Sequence, residues 1–142
     1  LDKEVKDMEK LYKEALKAFN NAYAPYSKFH VGAAVLLKDG AIVSGANVEN
    51  ASYGLSNCAE RTALFKVYAL GYRKDDIVKM LVLADTVEPV SPCGACRQVM
   101  SELLNEDTPI ILTNLKKVTK QYTIKELLPF SFKESDMDDA KK

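Results

Sequence analysis

The sequence predicts an α/β domain of three layers, with helices over both faces of a mixed five-stranded sheet whose last two strands are antiparallel. Three observations carry that expectation. Helical and strand-like segments alternate in the order α-β-β-α-β-α-β-β-α, and an Asp-Gly pair joins the first two strand-like runs. Only Leu115, Lys116 and Lys117 separate the last two runs, too few residues for a crossover helix.

Val5, Met8, Leu11, Tyr12, Ala15, Leu16, Phe19 and Tyr23 recur at three- and four-residue steps and draw the apolar stripe of a first helix, which Pro25 ends. Val31 to Leu37 and Ala41 to Val48 are β-prone runs around Lys38-Asp39-Gly40, a strong hairpin signal. Asn57 offers a side-chain N-cap and Glu60 stands three residues later, as in a capping box. A second helix is therefore predicted from about Cys58 to Leu70, with Gly71 just past its end. Lys79 to Val87 reads as a buried strand. Ser91-Pro92 looks like an N-cap followed by proline at the first helical position, opening a third helix that carries Cys93 to Leu104. Pro109 to Asn114 and Val118 to Thr123 are the last strands, and Thr123 with Glu126 forms another capping box for a short helix stopping before Pro129.

Composition narrows the class. The 142 residues, 47% hydrophobic and 28% charged, suit one domain over 1–142 with an ordered core over about 5–132 and a charged tail at 133–142 that is expected to fray. Formal net charge is zero, so no summed positive field favours a polyanion, and nucleic acid is not the expected partner. No apolar run approaches the roughly 20 residues that span a bilayer, and the start LDKEVKDMEK lacks a signal-peptide core. A cytoplasmic protein without a membrane partner is expected. The chain begins at Leu1, so an initiator methionine and a few leading residues are expected to precede it.

Three cysteines in a reducing compartment point to metal or catalytic use rather than to a disulfide framework. Cys58-Ala59-Glu60 and Pro92-Cys93-Gly94-Ala95-Cys96 both fall at predicted first turns of helices, where free N–H groups and the helix dipole favour thiolates. A lone C-x-x-C is a weak signal. Joined by a third helix-start cysteine and a nearby glutamate, it matches the known signature of zinc deaminases, in which the glutamate is not a ligand, and the metal reading rests on that match. The chemistry behind it is that three protein ligands leave the fourth tetrahedral position of Zn²⁺ to a water whose pKa the metal lowers. Three thiolates around one Zn²⁺ leave a formal charge of −1 and weaken its Lewis acidity. Arg61, next to Glu60, and the two helix N-termini are the available groups to offset it.

Further segments extend the match. Ala24-Pro25-Tyr26-Ser27-Lys28-Phe29 with Val31-Gly32-Ala33-Ala34, Asn47-Val48-Glu49-Asn50, Cys58 to Ala63, Ser91 to Val99, and Glu126-Leu127-Leu128-Pro129 together resemble the homotetrameric cytidine deaminases, over roughly Leu11 to Phe132. The resemblance implies a cytidine deaminase-like fold, one zinc per chain on Cys58, Cys93 and Cys96, and hydrolysis of free cytidine, and of deoxycytidine, in pyrimidine salvage. It implies that Glu60 is the proton shuttle, that Asn47 and Glu49 bind the ribose, and that Phe29 walls the nucleoside. It further implies a homotetramer with shared active sites, in which Phe132, preferred to Phe130 on its spacing from Pro129, and the segment around Ala51 and Tyr53 are lent by neighbouring subunits.

Blander readings stand beside these. Glu60 could be only a cap, the cysteines small buried hydrophobes, Asn47 and Glu49 solvated polar residues, and Phe29 and Phe132 core. His30, the single histidine, could close a structural Cys₃His zinc site with no open position, making an interaction protein rather than an enzyme. A polynucleotide deaminase would need a basic groove and aromatic platforms, which the zero net charge opposes. A nucleoside-like antibiotic is a nearer alternative substrate, against which the ribose motif at 47–50 weighs.

Overall fold

The computed structural model describes residues 2–140; Leu1, Lys141 and Lys142, the last two in the predicted tail, lie outside them. Ten elements follow the chain: α1 (Asp2–Asn20), β1 (Val31–Leu37), β2 (Ile42–Ala46), α2 (Ala59–Ala69), β3 (Ile77–Ala84), α3 (Gly94–Leu103), β4 (Ile110–Asn114), β5 (Thr119–Tyr122), α4 (Ile124–Leu127) and α5 (Glu134–Ala140). The strands form one sheet in the order β2-β1-β3-β4-β5. Its one parallel pair is β3 with β4, which α3 connects; β1–β2, β1–β3 and β4–β5 are antiparallel. The expected mixed sheet and final hairpin are therefore present.

Side-chain alternation along the central strands separates two cores. Ala34 and Leu36 of β1, Leu81 and Leu83 of β3 and Ile111 of β4 pack under Leu11 and Ala15 of α1. Ala33, Val35, Met80, Val82, Ile110 and Leu112 face the other way, onto Ala63, Leu64 and Val67 of α2 and Met100 of α3. Burial of the strands on both faces explains why they read as continuous apolar runs.

Several predicted boundaries move. α1 stops at Asn20, short of Tyr23 and Pro25, because the Tyr23 backbone pairs with the segment after β2: its N–H donates to Asn47 O at 3.0 Å and its carbonyl accepts from Glu49 N at 2.8 Å. β2 ends at Ala46, and Val48 instead bridges both Tyr23 and Asn57. β3 begins two residues early at Ile77 and ends at Ala84. The tail beyond Phe132 is not wholly frayed: Glu134–Ala140 is helical, with no buried residue.

Turn chemistry holds where it is local. Gly40 takes φ 90° in the β1–β2 hairpin and Gly71 takes φ 97° after α2, conformations open to glycine. Thr123 and Glu126 make the predicted capping box of α4, Thr123 Oγ1 accepting from Glu126 N and Thr123 N donating to Glu126 Oε1. Among the described residues no helix is long and apolar enough to cross a membrane.

Two other glycines set the layer spacing. A Cβ on Gly32 would lie 2.0 Å from Ala15 O of α1, and one on Gly45 would lie 2.5 Å from Ala63 N of α2. Both obstacles are helix backbone and cannot rotate away. Gly32→Ala and Gly45→Ala are each expected to cost about 2–3 kcal/mol or more in urea unfolding. Gly54→Ala, where no atom lies within 4 Å of the added Cβ, stays within about 0.5 kcal/mol of wild type.

Candidate active site

One end of the sheet collects the chemistry. The start of β1, the end of β2 and the ends of the parallel pair β3 and β4 meet there, and a cavity of about 480 Å³ opens beyond them, with Val31, Asn47, Ala84 and Thr113 among its lining. Ligands characteristically bind outside the carboxyl ends of parallel strands in such sheets. The loops leaving β2 and β3 lead from this end into α2 and α3, so both helices begin at the cavity.

Each start bears a cysteine. Cys58 is the residue preceding α2 and Cys93 the one preceding α3, with Cys96 in the first turn of α3. The predicted caps are corrected here. Cys93, not Ser91, caps α3, its Sγ accepting from Cys96 N at 3.5 Å. Asn57 does not cap α2; its Nδ2 donates to Thr62 Oγ1 at 3.1 Å while its backbone bridges Val48. Glu60 is not a capping glutamate either, since Cys58 makes no side-chain cap bond and Glu60 lies buried at 7% exposure.

The three Sγ atoms lie within 4.8 Å of one another, Cys58 to Cys93 at 3.9 Å and Cys93 to Cys96 at 3.4 Å. Zinc–sulfur bonds of about 2.3 Å at a tetrahedral angle put sulfurs about 3.8 Å apart, so the set fits that ion. His30 is not part of it. Its Nδ1 lies 3.3 Å from Phe19 O and its ring packs on Phe19, so the Cys₃His reading has no support in the geometry.

Charge around the sulfurs is arranged accordingly. Arg61 Nη2 donates to Cys58 Sγ at 3.4 Å. Its Nε is buried without a hydrogen-bond partner among the described residues, a cost of about 1–3 kcal/mol accepted next to the cluster. A hydrogen bond from Cys96, helped by Arg61 and Cys93, brings the Cys58 thiol down to about 5 against the effect of burial, while its bond to Cys58 and its own burial push Cys96 up. Burial lifts the Glu60 carboxyl to about 7, the Cys58 charge adding to the rise and Arg61 opposing it. A carboxyl near neutrality can both accept and donate a proton there.

The opposite wall is polar and already braced. Asn47 Oδ1 accepts from Val31 N at 2.8 Å and its Nδ2 donates to Phe29 O at 2.7 Å, which leaves one N–H of the amide free of these two bonds. Glu49 Oε1 accepts from Tyr26 N at 3.0 Å and Ser27 N at 3.1 Å, and Oε2 accepts from Ser27 Oγ. These bonds, those of Ser27 first, hold the Glu49 carboxyl below its ordinary range.

Of the residues expected at the site, Phe29, Asn47, Glu49, Tyr53, Cys58, Glu60, Arg61 and Cys93 line this cavity, and Cys96 lies buried behind Cys93. Ala51 and Phe132 do not line it. Phe132 is 59% exposed and contributes nothing to the cavity; its carbonyl accepts from Gln98 Nε2 at 3.1 Å. Val82, Val90 and Thr113 also line the wall and escaped sequence reasoning, because an apolar or threonine residue near a strand end or in a loop has no signature of its own.

Residues 5–112 match the cytidine and deoxycytidylate deaminase zinc-binding region. The chain is 57% identical over 133 residues to a cytidine deaminase of Halalkalibacterium halodurans, covering 94% of this chain and 99% of that one. It is 51% identical to one of Sporosarcina psychrophila, covering 94% and 97%. A crystal structure of cytidine deaminase from Burkholderia pseudomallei superposes with a TM-score of 0.84 at 48% identity, covering 87% of this chain and 98% of that one.

The raised carboxyl has a consequence for stability. Glu60 ionises near 4.5 when exposed and near 7 in the fold, so the folded chain holds its proton longer and wild type loses stability as pH climbs between those values. Glu60→Gln cannot ionise and escapes that loss. In chelator, Glu60→Gln is expected to melt above wild type at pH 8, by about 3 kcal/mol at most, and to differ little near pH 4. An equal gap at both pH values would contradict the burial argument.

Proposed function

Because the chain belongs to the zinc-binding cytidine and deoxycytidylate deaminase family, and is thus a zinc-dependent deaminase, we propose that it hydrolyses free cytidine, and deoxycytidine, to uridine or deoxyuridine and ammonia for pyrimidine salvage. The observation that carries this reading is the sulfur triangle with buried Glu60 beside it on a cavity of about 480 Å³, within the usual range for small-molecule sites. Among the described residues, Arg61 is the one cation lining the cavity, and it is engaged by Cys58. Glu49, which also lines the cavity, opposes a phosphate, so a nucleoside is favoured over a nucleotide.

Cys58, Cys93 and Cys96 would hold the zinc, which when bound supplies Lewis acidity that activates water at neutral pH. Glu60 accepts a proton from the attacking water and delivers it to N3 of cytosine. The same carboxylate then takes the remaining proton from the hydroxyl now on C4 and passes it to the amino group; the C4–N bond breaks as the C4 carbonyl forms, and water and cytidine balance to uridine and ammonia. Phe29 sets one edge of the base site, and the ribose hydroxyl binds between the free Asn47 N–H and the remaining lone pairs of Glu49. Arg61 offsets the thiolate charge.

The active form we infer is a homotetramer with shared sites. Phe132 and Ala51 lie outside the chain's own cavity, as residues lent to a neighbouring copy must. Tyr53 is exposed at the cavity rim against Tyr26, where a second chain can reach it.

Glu60→Gln is expected to keep about one zinc per chain and to lose more than the roughly 10²–10⁴-fold typical of a single acid–base role. Ultraviolet loss of cytidine measures it, with deoxycytidine, adenosine and a cytosine-containing oligonucleotide alongside; near-normal turnover would overturn the assignment. For the shared site, Glu60→Ala and Phe132→Ala are each expected to be inactive, and to recover part of the activity when unfolded together and refolded. A closed symmetric assembly pairs intact halves from the two variants. Mixed tetramers by light scattering without recovered activity would exclude Phe132 from the site.

A further inference from the structure

Arg97 follows Cys96 directly, yet its side chain turns away from the sulfurs and binds three acceptors at once. Nε donates to Pro92 O at 2.8 Å, Nη2 donates to Ser91 Oγ, and Nη1 donates to Leu127 O. The first two acceptors are the residues immediately before Cys93. The third is the last residue of α4, a helix seated in the core through Ile124 and Leu127. One planar cation therefore ties the turn that delivers Cys93 to a distant, buried element.

The turn needs such a tie. Between the end of β3 and the start of α3 the chain has no regular structure, and Pro92 offers no N–H. Asn114 holds the near end, its Nδ2 donating to Thr86 O at 2.8 Å and to Val87 O at 2.9 Å. Arg97 holds the far end, at Ser91 and Pro92, the two residues before Cys93. This also accounts for the failed cap at Ser91, whose hydroxyl is committed to Arg97.

We propose that Arg97 is a positioning residue for the zinc site, setting the Cys93 sulfur by bracing residues 91–92 against the end of α4. The inference rests on the reading that Cys93 is a zinc ligand. It separates two arginines of similar sequence context: Arg61 touches a sulfur and works by charge, whereas Arg97 touches none and works by shape. A lysine at position 97 would keep the charge, but a point-like ammonium cannot serve three acceptors spread around a guanidinium.

The test measures zinc affinity by competition with a chromogenic chelator, together with the ligand-field bands of the cobalt(II)-substituted protein. Arg97→Lys is expected to bind zinc about 10- to 100-fold more weakly, the usual effect of losing a group that orients a ligand, and to shift the cobalt bands. Gln98→Ala removes the neighbouring hold on Phe132 O without touching residues 91–92, and is expected to keep wild-type affinity and bands. Wild-type affinity and bands in Arg97→Lys, or an equal loss in Gln98→Ala, would overturn the proposal. Should Arg97→Lys fail to fold, Ser91→Ala removes one acceptor alone; a smaller shift in the same direction supports the proposal and unchanged bands overturn it. Cys93→Ser separates the two levels of inference. If it binds zinc as wild type does, the ligand reading fails and this inference falls with it; if it loses zinc while Arg97→Lys does not, this inference alone fails.

Discussion

Three sulfur atoms within 4.8 Å of one another repel as thiolates, and most of the local structure answers that constraint. Two helix N-termini point at them, Arg61 donates to one, and the Cys58 thiol is held below its ordinary range while Cys96 is pushed above it. A divalent cation relieves the same repulsion, so metal binding and site geometry are coupled. The orphaned Arg61 Nε is a cost borne beside the cluster.

Burial of Glu60 follows from how closely α2 approaches the sheet. Gly45 of β2 lets the backbone of α2 at Thr62 and Ala63 come to where a Cβ would sit, and Ala59 and Ala63 of that helix are fully buried. A larger residue at any of these positions would lift the first turn of α2, wetting the carboxyl and moving Cys58 with it. Packing between layers and the acidity of Glu60 are therefore one property.

The other wall is ordered by hydrogen bonds instead of packing. Asn47 and Glu49 commit most of their hydrogen-bonding capacity to holding residues 26–31, where Lys28 adopts φ 63°. The remaining capacity faces the cavity in a fixed orientation. A ligand meeting these groups finds them already ordered, which lowers the entropic cost of binding.

Element order, the antiparallel hairpins, the α4 capping box and the set of three cysteines were legible in the sequence, because each depends on spacing between near neighbours or on residue type. Local cap patterns misled at Asn57, Glu60 and Ser91: the Asn57 amide donates to Thr62 Oγ1 instead, Glu60 is buried, and the Ser91 hydroxyl is taken by Arg97. Only the folded chain decided that Cys58 and Cys93, 35 residues apart, lie 3.9 Å from each other, that His30 turns to Phe19, and that Phe132 stays outside the cavity. The sequence by itself determined which chemical groups are available and in which elements they sit; tertiary packing decided which of them meet, which are dry and which are spoken for, because desolvation and hydrogen-bond competition act between segments that no local pattern brings together.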